Sequence, residues 1–285
     1  MPGGTLEKEE TYERGGEVLG NERLLNEATE LKNKLTNKRP LPEYVIKKLI
    51  DDFNIKNTYH SNAIEGNTLT LYETKVILEE GITVSGKSLR EHLEVNNHKE
   101  ALEYVEELVN AKVALSQRVI KDIHAIVLQG IDRKIAGTYR DVPIIISGAN
   151  HIPTPYEKIQ DEMDLLIEWY NNSYDLHPVE RASLLHAKFV NIHPFADGNG
   201  HTARLLLNFE LMKSGYLPII IEKESRINYY EALDISGTSE DYSPFTNFIV
   251  TREINTLESR LDLLKGYDRE NISLDKNKQL DDLER

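Results

Sequence analysis

The sequence predicts an all-α domain interrupted by one β-hairpin. Three observations carry that reading. Apolar residues recur at helical spacing over most of the chain, clusters of Gly, Pro, Asn and Ser separate the recurring segments, and a single β-branched run breaks the pattern. Residues 1–19, rich in Gly and Glu with little periodicity, are expected as a flexible N-terminal arm. From Glu22 the residues Leu24, Leu25, Ala28, Leu31 and Leu35 form one helical face. After Pro40 and Pro42 a second series, Val45, Ile46, Leu49, Ile50 and Phe53, opens a helix over about 42–66 that Gly66 can end. The pattern returns at 71–80, 88–110, 116–130, 155–171, 177–192, 199–214, 225–236 and 243–265. Between Val142 and Pro155, the run Ile144-Ile145-Ile146, a Ser147-Gly148-Ala149-Asn150 turn and a further apolar step read as the hairpin. A lone hairpin is marginal in water, so it is expected to lie over something. Residues 266–285 are expected as a charged tail, and one domain over 20–265 accounts for the remainder.

Composition narrows the function classes. The chain has 285 residues with 34 Lys+Arg against 48 Asp+Glu, a net charge of −14. That balance disfavours a sequence-independent grip on nucleic acid or on an anionic membrane surface and directs attention to protein partners. There is no Cys. Disulfides, thiolate metal sites and a thiol nucleophile are thereby excluded, and a cytoplasmic setting fits. No apolar stretch approaches the ~18 residues of a membrane span.

Chemistry concentrates in residues 193–204, His-Pro-Phe-Ala-Asp-Gly-Asn-Gly-His-Thr-Ala-Arg, which lie between two helical series. Pro194 and the Gly198-Asn199-Gly200 triplet force a loop, and Gly and Asn tolerate the positive φ that turns successive N–H groups toward one point. Such a nest opening a helix is an anion site, and phosphate is the natural guest. Arg204, one turn on, can fork a second phosphate, and Asp197 can hold a hard cation such as Mg²⁺. His193 at the rim is the natural general base, with an ordinary pKa near ~6.5. A Gly-Asn-Gly loop alone is usually a turn; its coincidence with a base, a carboxylate and an Arg is what points to catalysis. A transition-metal site built from His186, His193, Asp197 and His201 is a weaker alternative, because Pro194 and Gly198 break the helix that would align them.

This stretch resembles the signature of Fic-domain proteins, His-Pro-Phe-x-Asp/Glu-Gly-Asn-Gly/Lys-Arg-x-x-Arg, departing at one position. His201 stands where the pattern has its first Arg. The resemblance implies a Fic helical bundle and transfer of AMP from ATP to a Ser, Thr or Tyr hydroxyl of a target protein or of the enzyme itself. It implies His193 as base, Phe195 as the loop's anchor, Asp197 as Mg²⁺ ligand, Gly198, Asn199 and Gly200 as the phosphate cradle and Arg204 as partner of the γ-phosphate. His201 would join the phosphate site as a neutral imidazole, a poorer partner than guanidinium. Upstream, Ser61-Asn-Ala-Ile-Glu65-Gly66 resembles the family's inhibitory motif Ser/Thr-x-x-x-Glu-Gly/Asn. Ser61 and Glu65 share a helix face, and Glu65 is expected to pair with Arg204 and hold the enzyme down. The hairpin is similar to the family's target-registering flap. Asn228-Tyr229-Tyr230 resembles the nucleoside pocket, Tyr230 being the contact expected, and Gly237 replaces a polar pocket residue of many relatives. A homodimer is left open. The alternative function is a nucleotide-binding Fic-fold regulator acting through protein contacts.

Overall fold

A computed structural model describes the backbone of residues 6–38 and 41–283 and the side chains of residues 21–38 and 41–266. Ten α-helices follow in order among the described residues: α1 (Leu6–Thr36), α2 (Glu43–Ile64), α3 (Leu71–Glu80), α4 (Leu89–Asn110), α5 (Gln117–Val127), α6 (Ile159–Asn172), α7 (Pro178–Ile192), α8 (Asn199–Lys213), α9 (Arg226–Ser239) and α10 (Ser243–Leu283). Local chemistry sets several boundaries. Thr70 with Glu73 and Ser88 with Glu91 close reciprocal capping boxes that start α3 and α4. Gly81, at φ 68°, ends α3 in the left-handed region.

α7 and α8 form an antiparallel spine with apolar layers on both sides. On one side Leu102, Ile120, Ile123, Met163 and Tyr170 of α4–α6 pack on Phe189 and Phe209. On the other, Leu25 and Ala28 of α1 and Phe245, Ile249 and Leu257 of α10 pack on Ala182, Leu207 and Leu211. Flanked this way, α8 is buried from His201 through Leu211, including the polar residues His201, Thr202, Arg204, Asn208 and Glu210. A helix with no solvent face can hold charges only where partners meet them. Arg181 of α7 answers Glu210, and Glu210 also accepts from Tyr170.

Two expectations change. The helical backbone of α1 begins at Leu6, inside the segment expected as an arm, and α10 runs through Gly266 to Leu283; residues 1–5 and 284–285 lie outside the described residues. The expected hairpin is absent: residues 142–155 contain no strand and form an extended excursion with a turn at Ser147-Gly148. Pro143, Pro153 and Pro155 lack the N–H a ladder requires, and side chains join the two arms instead. Arg140 donates to the carbonyls of Val142 and Thr154 at the base, while Asp234 of α9 accepts from the amides of Asn150 and His151 beyond the turn.

Candidate active site

The α7–α8 connection builds the site. His193 caps α7 in the left-handed region, at φ 53° and ψ 59°, so its side chain leaves the helix axis and turns to the loop. Phe195 is fully buried and lies flat on His124, ring centroids 3.6 Å apart. Burying such a ring is worth about 1.5–3 kcal/mol, which fixes the loop in depth. His124 Nδ1 accepts from the Gly137 amide at 2.9 Å, leaving Nε2–H to donate to the Asp197 carbonyl at 2.9 Å. The Asn199 side chain closes the loop on Phe195, its Oδ1 accepting from the Phe195 amide and its Nδ2 donating to the Phe195 carbonyl. Asn199 therefore shapes the turn with its side chain; only its backbone is placed to meet an anion.

Gly198, at φ 75°, starts α8, and the first helical hydrogen bond runs from Thr202 N–H to Gly198 O at 3.0 Å. The amides of residues 199–201 lie ahead of it, at the positive end of the helix dipole. They face a cleft of about 200 Å³ lined by residues 198–201 together with Glu65, Arg90, His98, His193 and Asp197. Burial pushes His193 down to about 4, so its ring is neutral at physiological pH. Its Nδ1 lies 3.2 Å from Val190 O, which selects the Nδ1–H tautomer and leaves the Nε2 lone pair free to take a proton.

Glu65 closes the cleft from α2. Its Oε1 meets Arg204 Nη2 at 2.9 Å and lies against the Cα of Gly200, where any Cβ would collide with it. Arg204, 4% exposed, also donates from Nε to Ser61 Oγ at 2.9 Å and from Nη2 to the Ser61 carbonyl at 3.1 Å. Its Nη1 is buried without a partner, beside Gly200. Because Ser61 Oγ accepts from Arg204, its own proton is free for His201 Nδ1, 3.0 Å away. Burial, then the Arg204 charge, lowers His201 to about 3. His201 is thus a neutral acceptor serving Ser61 and Arg204, and the α2 face with Ser61 and Glu65 is locked to α8 by four contacts.

Asp197 accepts from the Gly198 amide at 2.8 Å and from Arg90 Nη2 at 2.7 Å, and those contacts hold its carboxyl below the usual range despite burial. A half-exposed, ionised carboxylate suits Mg²⁺, which takes one or two carboxylates and fills its shell with phosphate oxygens and water. No group of three or more His, Asp or Glu that could hold a metal ion converges among the described residues. His186, considered above as a metal ligand, instead meets Tyr229 OH at 3.0 Å in the core. Tyr230, its ring centroid 5.2 Å from that of Tyr229, is the more exposed of the two, and burial, then Glu65, raises its phenol. At Gly237 the His151 ring fills the place a side chain would take, its nitrogens 2.9 Å from Gly237 O and 2.8 Å from Asn191 O. Arg90, His98, His124 and Asp234 carry no signal in the sequence, and Arg140 stands out there only as the end of the Ala136–Arg140 stretch before the expected hairpin. His124 lies in a helical context that carries no separate signal, Arg90 meets Asp197 across a long sequence separation, His98 sets its ring edge-on to His201, and Asp234 meets Asn150 and His151.

Comparison with known proteins agrees with this geometry. The sequence profile of the Fic/DOC family matches residues 114–211. The protein named Protein adenylyltransferase Fic from Nematostella vectensis is 39% identical over 225 residues, covering 78% of this chain and 52% of that one. Its namesake from Drosophila melanogaster is 38% identical over 205 residues, covering 71% and 41%. The chain therefore spans about half the length of the curated relatives it matches. Among solved structures, Fic-1 from C. elegans superposes with a TM-score of 0.81 at 30% identity, covering 88% of this chain and 74% of that one. A Fic domain containing signaling protein from Bacteroides thetaiotaomicron gives 0.74 at 32% identity, covering 86% and 98%. With that signature, that superposition and near-complete coverage of a solved Fic protein, the chain belongs to the Fic/DOC family.

Proposed function

We propose that this chain is a protein adenylyltransferase, held low by its own helix α2, that transfers AMP from ATP to a Ser, Thr or Tyr hydroxyl of a target protein or of itself. The observation that carries the reading is the Glu65–Arg204 pair seated over Gly200, at 2.9 Å, directly ahead of the α8 amides. A carboxylate occupies the position that a phosphate would claim. In the reaction, His193 Nε2 takes the hydroxyl proton as the hydroxyl oxygen attacks the α-phosphorus. The bond from that phosphorus to the α–β bridging oxygen breaks and pyrophosphate leaves. The amides of residues 199–201 and the Arg204 guanidinium hold the phosphate charge during the displacement. Mg²⁺ at Asp197 would neutralise charge across the phosphate oxygens when bound. Tyr230 is the proposed adenosine contact, residues 20–265 the working unit, and the cytoplasm the proposed setting. Among the described residues no helix is long and apolar enough to cross a membrane.

The test is intact-mass analysis after exposure to ATP and Mg²⁺ with candidate target protein. A gain of one AMP is expected, rising about tenfold or more in Glu65→Gly and vanishing in His193→Ala. Transfer that persists in His193→Ala removes the base from the mechanism. ATP binding without transfer in Glu65→Gly assigns the chain to the regulatory alternative.

A further inference from the structure

The wall of the nucleotide cleft is short of positive charge. His98, His193 and His201 all line it and all are held neutral by burial. Glu65, Glu94 and Asp197 line it as carboxylates, and Arg204 lies behind the wall, engaged by Glu65 and Ser61. Position 201, in the first turn of α8, contributes a ring whose Nδ1 is already committed to Ser61. A triphosphate entering such a cleft meets more negative than positive charge unless another group answers it.

One lining side chain can. Arg90 projects from the first turn of α4, with Nε on Glu94 Oε1 at 2.8 Å and Nη2 on Asp197 Oδ2 at 2.7 Å. Glu94 is itself held by Asn67 Nδ2 at 2.9 Å, so the guanidinium is aimed from behind. Its side chain remains 57% exposed toward the cleft mouth, and an ion pair that open contributes little to stability. Arg90 is also close enough for its charge to act on the His201 ring. We propose that Arg90 is a phosphate-binding residue of the nucleotide site, supplying from α4 the guanidinium charge that α8 lacks at position 201. Held by two separate carboxylates, through Nε on Glu94 and Nη2 on Asp197, the guanidinium is fixed in plane at the cleft, and a planar guanidinium suits phosphate oxygens.

This inference rests on the nest holding a triphosphate, and calorimetry of ATP binding to the Glu65→Gly protein separates the two. Titrations are run with ATP in EDTA and with Mg²⁺ and ATP. Arg90→Ala in that background is expected to raise Kd about tenfold in both conditions, and adding His201→Arg to it is expected to restore most of the loss. Weakening confined to the Mg²⁺ titration would reduce Arg90 to a residue that positions Asp197 and overturn the proposal. An unchanged Kd, or no recovery with His201→Arg, would overturn it as well while leaving the nest intact. If Glu65→Gly binds no ATP under either condition, the nest reading and this inference fall together.

Discussion

At the scale of single residues, Gly200 is where helix α8 and the Glu65 carboxylate compete for the same space. It sits in the first turn of α8 with negative φ, so its backbone would accept Ala, which is worth about 0.5–1 kcal/mol over Gly inside a helix. A Cβ here would overlap Glu65 Oε1 and approach Arg204 Nη1 to 3.1 Å. The Glu65 carboxylate is the mobile partner and yields, leaving the buried Arg204 without its counter-charge. Gly200→Ala should therefore be stabilising by about 0.5–1 kcal/mol in a Glu65→Gly background and less favourable by roughly 1 kcal/mol in the wild-type background. Urea unfolding of the four proteins measures the coupling. Additive values would mean the carboxylate does not rest on residue 200.

At the scale of elements, the segment 142–155 shows what a side chain can do where a ladder is missing. Arg140 is 5% exposed, and its amide and guanidinium reach Pro194 O, His193 O, Val142 O and Thr154 O, so one residue ties the α7–α8 loop to both ends of the excursion. Arg140→Met keeps the volume but strands three carbonyls. It is expected to cost about 2–4 kcal/mol and to speed proteolytic cleavage within 142–155 over cleavage elsewhere. Uniform acceleration across the chain would show that Arg140 supports the whole fold instead. The same segment marks the limit of sequence reading. Helices were legible because Leu102, Val105 and Leu108, or Ile120, Ile123 and Val127, repeat at the period that buries one face. The Ile144–Ile146 run carries a genuine β preference, yet the neighbouring Arg140 and the distant Asp234, whose side-chain contacts no periodicity announces, decide its shape. The site divides the same way. Residues 193–204 are contiguous and readable, and Ser61 with Glu65 share one helical turn. Arg90 meets Asp197 from 107 positions away, and no local pattern announces that contact.

At the scale of the molecule, α1 and α10 pack against the outer side of the α7–α8 spine, and their interface contains a carboxyl that water cannot reach. Glu253 of α10 is fully buried beside the apolar layer formed by Ile249, Val250, Ile254 and Leu257. Burial pushes its carboxyl from 4.5 up to about 8, against smaller opposing effects of the Leu217 backbone and Lys32. The folded protein thus binds a proton at neutral pH that the unfolded chain releases. The sign follows: the stabilising contribution is present in full below the unfolded value of about 4.5 and is lost as pH rises through about 8. Between pH 5 and 8 wild type should lose on the order of 3 kcal/mol relative to Glu253→Gln, whose amide does not titrate. Denaturant unfolding of both proteins at several pH values measures the difference directly. Because α1 packs on α10 and carries Thr29, which meets His177 at the N-terminus of α7 at 2.8 Å, loosening this layer acts on the same helix that ends in His193. Parallel stability curves for the two proteins would mean that residue 253 is ionised in the folded state, and that the pH response of the α1–α10 layer originates elsewhere.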